Sequence, residues 1–358
     1  MSGSRRSFNS DNVAPVAPEV MAALARVNHG TCHSYGDDPE TRRLTDLARE
    51  TFECDLVIHP VATGTAANAL ALSSVVPPYG GVFCHRIAHI NTDECGAPEF
   101  FSGGAKLLAL DGAAGKISAA QLAAPVAHAR EMGVHHVVPG AVSVSQATEW
   151  GTVYTREELA ALAAAAHAHG LVAHMDGARF ANAVAHLGCT AAEASWKCGV
   201  DVLSFGATKN GALAAEAVIF FRPELAREFE LRRKRAGHLW SKQRYLSAQL
   251  NACLEGGLWL RNARHANDLA RRLSQGLERH GMRCVQAVEA NEVFAEFPAP
   301  LIAALRSQGF EFYEWPAPPG IELPVVRLVT AYDMQAGDVD GIINAIGAYC
   351  ALNSGATR

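Results

Sequence analysis

Two short apolar runs, each ending in a charged residue, constrain this chain more than any other feature. The first is Leu171-Val-Ala-His-Met-Asp-Gly-Ala-Arg179, and the second is Asp201-Val-Leu-Ser-Phe-Gly-Ala-Thr-Lys209. Apolar runs of this length read as strands buried on both faces, as in parallel sheets. Each delivers its charge at the carboxyl end: Asp176 from the first, Lys209 just past the second. In open α/β sheets that edge is where ligands bind. Taken alone, an Asp-Gly is more often part of a buried ion pair or a solvated loop. Here the edge also receives Arg179, and a second group of residues upstream has to be explained.

The chain around these runs alternates. Strands are expected near 56–60, 82–84, 105–110, 137–144 and 217–221, with helices over 40–51, 118–132 and 155–169. Strands alternating with helices give a mainly parallel sheet covered on both faces. Residues 85–96 read as strand and loop, 223–236 as one charged helix, and 241–279 as a long helix broken at Gly256-Gly257. Beyond that break, strands near 284–297 and 325–330 with flanking helices suggest a smaller α+β unit. The expected division is an N-terminal segment (1–40), a large domain (41–256) and a small C-terminal domain (257–358).

The upstream group sits where the first strand meets Ala62-Thr-Gly-Thr-Ala-Ala-Asn68 and a helix. A helix N-terminus presents unpaired N–H groups and a positive dipole end, so it can hold phosphate. Gly64 lets the backbone approach an anion, and Thr65 adds a hydroxyl. The motif has neither the lysine nor the spacing of a Walker loop, and Thr is also simply a good helix cap. A phosphate seat, a Schiff-base lysine and an acid for a pyridinium nitrogen together suit pyridoxal phosphate. His89 could stack on a flat ring or belong to an ordinary polar loop. Arg327, inside the run 323–329, either faces solvent or is aimed at a carboxylate, which its planar fork suits.

Composition excludes other classes. A net charge of −5 gives no general basic field for nucleic acid, and no apolar run is long enough to span a membrane. Nine cysteines with no Cys-x-x-Cys pair point to reduced thiols and a cytoplasmic setting. His85 and His89 are four apart but not on an expected helix, so no metal site is expected.

The chain resembles the low-specificity L-threonine aldolases, and the related phenylserine aldolases, of the fold-type I (aspartate aminotransferase-like) pyridoxal-phosphate enzymes. The resemblance is carried by Ser10-Asp-Asn12, Tyr35-Gly-Asp-Asp-Pro39, Thr63-Gly-Thr-Ala-Ala-Asn68, His89-Ile90, Gly104-Ala-Lys-Leu107, His174-Met-Asp-Gly-Ala-Arg-Phe-Ala-Asn182, the lysine segment 204–211 and Arg327-Leu-Val-Thr330. It implies that Lys209 is the Schiff-base lysine, Asp176 the partner of the pyridine nitrogen, Gly64 and Thr65 the phosphate site, and His89 the stacking ring. It places Arg179 near cofactor and substrate, and Ser10 with Arg327 on the substrate carboxylate. Arg235 and Lys242 fall where family members reach a neighbouring subunit's phosphate. A homo-oligomer, a tetramer built from dimers, with its active sites at a subunit interface is therefore expected.

Two departures stand out. The lysine segment reads Ala207-Thr-Lys-Asn-Gly211 where the family usually has Ser-Lys-Gly-Leu. In the loop 144–151 many members carry a histidine near the substrate side chain, and Thr148 is taken as the equivalent position. The expected activity is retro-aldol cleavage of L-threonine, L-allo-threonine or L-phenylserine to glycine and an aldehyde, with His89, or a water held by Asp93, as the base. Another fold-type I activity (a β-eliminating lyase or an aminotransferase) and a non-catalytic cofactor-binding protein are the alternatives.

Overall fold

The computed structural model describes residues 6–354; residues 1–5 and 355–358 of the expected terminal segments lie outside the described range. Seven strands form the larger sheet: β1 (Val57–Val61), β2 (Gly80–His85), β3 (Lys106–Leu110), β4 (Val138–Ser145), β5 (Val172–Gly177), β6 (Val202–Gly206) and β7 (Glu216–Phe220). Their spatial order is β1-β7-β6-β5-β4-β2-β3. Pairings β2–β3, β2–β4, β4–β5 and β5–β6 are parallel, whereas β7 runs antiparallel to both β6 and β1. The fold is thus α/β with one reversed strand. β2, β6 and β7 are buried along their whole length, which is why their sequences are apolar rather than alternating.

Local signals set the helices. Asp38 caps Pro39–Phe52 by accepting from Thr41 N at 2.9 Å, and Pro39 suits the first helical position. Thr155 and Glu158 close a capping box at the start of Arg156–Ala168. Gly64–Val75 buries every residue from Ala66 to Ser73, so it shows no polar face.

The charged stretch 223–236 is not one helix. A 3-10 turn at Pro223–Ala226 precedes a helix at Phe229–Arg235, because Phe229 is drawn into the core against His59 and Phe220, at 4.9 and 5.2 Å between ring centroids. Nor is 85–96 all strand and loop: His89–Thr92 makes one helical turn, and Ala97–Ser102 follows as a second short helix.

The smaller sheet orders β8 (Glu292–Glu296), β10 (Val325–Val329) and β9 (Tyr313–Trp315), all antiparallel. The strand expected over 284–297 is shorter because its apolar pattern continues through a reversal. Residues 283–285 run back along β8, with Val285 N donating to Phe294 O and Glu296 N to Arg283 O. The N-terminal segment closes this unit. Phe8 is buried in its core, donates to Glu311 O and accepts from Val329 N.

Gly256 and Gly257 adopt positive φ and turn the chain into the helix Leu258–Arg279. That helix serves two cores. Leu258, Trp259 and Ala263 pack in the larger one, whereas Leu269, Ala270, Leu273 and Leu277 pack in the smaller one. The turn at 256/257 is therefore not a gap between cores. Trp259 stacks on Phe180 with ring planes 7° apart, tying this helix to the segment just after Asp176. Such a pair is worth about 0.5–1.5 kcal/mol beyond its buried area.

Candidate active site

The carboxyl ends of β4, β5 and β6 converge, with Ser145 beside Asp176 and Asp176 beside Ser204 in register. Asp176 is buried. Its Oδ1 accepts from Ala178 N at 3.0 Å and its Oδ2 from Asn68 Nδ2 at 2.9 Å. The Asn68 amide also reaches Glu94 Oε1 at 2.8 Å, and His89 Nδ1 lies 2.9 Å from that same oxygen. A continuous polar chain thus runs Asp176–Asn68–Glu94–His89. The bond to Glu94 holds the His89 imidazole above its ordinary pKa despite partial burial.

Beneath Asp176 lies His174, with Ser143 Oγ 2.9 Å from Nδ1 and Ser204 Oγ 3.0 Å from Nε2. Burial pushes this imidazole down to about 4, so a neutral ring lies beside Asp176. Lys209 follows β6 in the turn Thr208–Asn210 and forms no ion pair among the described residues. Glu216 of β7 lines the same cleft. Its carboxylate accepts from Ala207 N at 2.8 Å, and burial pushes it up to about 7.

Opposite these groups is the N-terminus of Gly64–Val75. Thr63 caps it by accepting from Ala66 N at 3.2 Å, and a Cβ placed on Gly64 would meet no heavy atom within 4 Å. The first helical N–H groups have no partner within the helix and open onto free space. On another wall, Arg179 is held by Asp11 through two bonds and by Glu292 at 3.1 Å. Arg327 donates to Asn9 O at 3.1 Å and lies 3.9 Å from Glu292 and 4.6 Å from the Trp315 ring centroid. Its Nε has no hydrogen-bond partner, and burial presses its pKa below the usual range. It therefore does not face solvent.

The structure brings Gly64, Thr65, His89, Thr148, Asp176, Arg179 and Lys209 around one cleft of about 390 Å³. Ser10 and Arg327 lie outside that lining, although Asn12, two residues from Ser10, belongs to it. Arg235 and Lys242 are exposed and unpaired among the described residues. Asp93 is displaced from its expected place: its side chain is exposed and accepts the Thr92 hydroxyl at 2.8 Å. Its neighbour Glu94 turns inward instead.

Thr148 needs a similar correction. Its hydroxyl donates to Ala114 O at 3.2 Å and lies 2.7 Å from Thr152 Oγ1, so its proton is already committed. The adjacent Glu149 lines the cleft, and Trp150 packs on Phe294 at 4.7 Å rather than filling the space. Residues that the sequence reading passed over are therefore Asp11, Asn68, Glu94, Glu149 and Glu216. Asn68 carried a usable signal, because it lies one helical turn after Gly64. A larger cavity of about 690 Å³ lies by residues 113–121, but its lysine, Lys116, is already 2.9 Å from Glu158.

A family model described as beta-eliminating lyase matches residues 7–299. The chain belongs to the beta-eliminating lyase family. Within that family it is similar to a low-specificity L-threonine aldolase of a Pseudomonas species, 47% identical over 87% of this chain and 90% of the relative. A low-specificity L-threonine aldolase of Pseudomonas aeruginosa is 46% identical over the same shares. Among solved structures, Leishmania major threonine aldolase superposes with a TM-score of 0.91 at 28% identity, covering 97% of this chain and 100% of that one.

The cofactor of this beta-eliminating lyase family is pyridoxal phosphate, and the residues present fit it. An unpaired lysine, a buried carboxylate and an open helix N-terminus are the donor set that such a group requires. His89, Glu94 and Asp176 also bring ligand-type atoms within 4.8 Å of one another, but the Asn68 amide already bridges the two carboxylates.

Proposed function

We propose that this chain cleaves L-β-hydroxy-α-amino acids, namely L-threonine, L-allo-threonine and L-phenylserine, to glycine and an aldehyde, at sites shared between subunits of a cytoplasmic homo-oligomer. The observation that carries the reading is the cleft joining Lys209 and Asp176 to the Gly64–Thr65 helix terminus and the His89 ring. Membership of the threonine aldolase group supports the reaction itself. Bound at Lys209, pyridoxal phosphate supplies an electron sink for the pair left when the Cα–Cβ bond breaks.

The protein's own groups do the rest. Asp176, beside a neutral His174, would take the ring nitrogen and hold a proton there. Gly64 and Thr65 would hold the phosphate at the helix terminus, and His89, steadied by Glu94, would stack on the ring. Arg327, with its free Nε, takes the substrate carboxylate together with Ser10, while Arg179 shapes the wall between cofactor and substrate. Exposed Arg235 and Lys242 reach the phosphate of a second copy. Nine free cysteines support a reducing compartment, and among the described residues no helix is long and apolar enough to cross a membrane.

An aldehyde-release assay across the three amino acids tests this directly. Equimolar glycine and aldehyde are expected. Release of a keto acid, or ammonia with pyruvate, would assign the site to another activity of the family.

A further inference from the structure

We infer that Glu149 is the catalytic residue that takes the proton from the substrate's β-hydroxyl; this rests on the aldol-cleavage reading above. The carboxylate is half committed. Its Oε1 accepts from His89 N at 2.8 Å and from Ser145 Oγ at 2.5 Å. Its Oε2 is shut from solvent and has no hydrogen-bond partner, although Glu149 lines the cleft. A buried orphan oxygen of this kind calls for a partner, and a hydroxyl group in the cleft is one.

The competing groups are engaged or misplaced. Asp93 is exposed outside the cleft. His89 Nδ1 is occupied by Glu94. Glu94 also has a free oxygen, but its side chain is wholly covered, and its Oε1 serves both Asn68 and His89, so it positions the ring. The Thr148 hydroxyl is engaged by Ala114 O and Thr152 Oγ1.

The surroundings of Glu149 tune it for the task. Burial first, and then the negative charge of Asp176, push it up to about 7, against the Ser145 and His89 bonds that pull it down. Buried Cys84 and Tyr154 also feel its charge. A base poised near neutrality both accepts a proton and gives it back. In cleavage, Oε2 takes the hydroxyl proton, the O–H pair becomes the second bond of the aldehyde carbonyl, and the Cα–Cβ pair stays on Cα. Cα then gains one proton as glycine forms, so the overall reaction neither consumes nor releases protons. In the synthetic direction the protonated carboxyl donates to the aldehyde oxygen.

Glu149→Gln preserves shape and removes the base. With cofactor bound, its kcat/KM for L-threonine cleavage should fall by about 10²–10⁴-fold, while exchange of the glycine α-proton with solvent, which needs no β-hydroxyl, stays within about threefold of wild type. The wild-type acid limb near pH 7 should vanish in Glu149→Gln and persist in the slower Glu149→Asp. In the cofactor-free protein, where Glu216 is also pushed up to about 7, the protonated-carboxyl infrared signal titrating near pH 7 should lose the Glu149 contribution in Glu149→Gln and keep that of Glu216. Cleavage by Glu149→Gln within about threefold of wild type overturns the assignment. So does equal loss of cleavage and glycine exchange, or an acid limb unchanged in Glu149→Gln. If wild type itself releases no aldehyde, the functional reading fails instead, and the infrared band still reports whether Glu149 titrates near neutrality.

Discussion

Arg179 grips Asp11 through two parallel bonds, Nε to Oδ2 at 2.9 Å and Nη2 to Oδ1 at 3.0 Å, across 168 residues of sequence. The pair straps the N-terminal segment onto the wall of the cleft, and Asn291 Nδ2 adds a third bond to Asp11 Oδ2 at 3.0 Å. Burial alone would raise the Asp11 pKa. The charges of Arg179 and Lys209, with the Arg179 and Asn291 bonds, outweigh it and hold the carboxyl below its ordinary value.

That depression has a definite sign in stability. A carboxylate with a lowered folded-state pKa stabilises above its unfolded pKa of roughly 3.9, and the contribution disappears as pH falls through the lower folded value. Asp11→Asn, which also leaves part of the Arg179 charge uncompensated, should cost about 3–5 kcal/mol at neutral pH. Thermal melts of the two proteins should keep a constant gap from pH 7 to about 4 and converge as pH falls below roughly 3.9 through the lower folded-state value. A gap that stays constant through that lower range as well would show that Asp11 is not the ionised partner.

Arg327→Ala should raise KM for L-threonine about tenfold or more, the equivalent of losing a charge-assisted hydrogen bond of roughly 1.5–3 kcal/mol, and leave the visible absorbance of bound cofactor intact. Initial rates against substrate concentration measure this. An unchanged KM would mean that Arg327 serves only its contacts with Asn9, Glu292 and the Trp315 ring.

Thr148→Ala should cost little in turnover, because the hydroxyl bonds Ala114 O and Thr152, and Thr152 Oγ1 itself reaches Ala114 O at 2.7 Å. A loss of about 1 kcal/mol in stability is expected, as for one buried hydrogen bond. Trp150 is turned onto Phe294 and does not line the cleft, so it does not close the space an aromatic substituent would need. β-Phenylserine should therefore be cleaved with a kcat/KM at least equal to that for L-threonine. A several-hundredfold loss in Thr148→Ala with cofactor bound would put Thr148 in the chemistry.

If Arg235 and Lys242 complete a neighbour's site, mixing two inactive variants should restore activity. Lys209→Ala should lose the visible absorbance of the lysine-bound cofactor and essentially all turnover, whereas Arg235→Ala combined with Lys242→Ala should bind cofactor weakly. Dissociated and reassociated together, they should form mixed oligomers with some sites intact, up to about a quarter of wild-type activity for random pairing in a dimer. No recovery would place each site within a single subunit.

The sequence by itself determined the sheet, the phosphate-type helix terminus and the Asp176–Lys209 pair. These depend on short-range patterns: an apolar run long enough for one strand, a cap, and a charge at a strand's end. It could not decide which side of a loop faces the cleft. Asp93 and Glu94 are adjacent and equally polar, and a single residue of rotation separates solvent from active site. Thr148 and Glu149, also adjacent, both line the cleft, but only Glu149 keeps an unpartnered oxygen there. Only tertiary packing made that choice, by turning Glu94 beneath His89 and spending the Thr148 hydroxyl on Ala114 and Thr152. The same holds for Asp11 and Glu292, far from Arg179 in sequence yet against it in space. Such contacts follow from how the smaller sheet and the N-terminal segment pack against the strand ends, which no local propensity encodes.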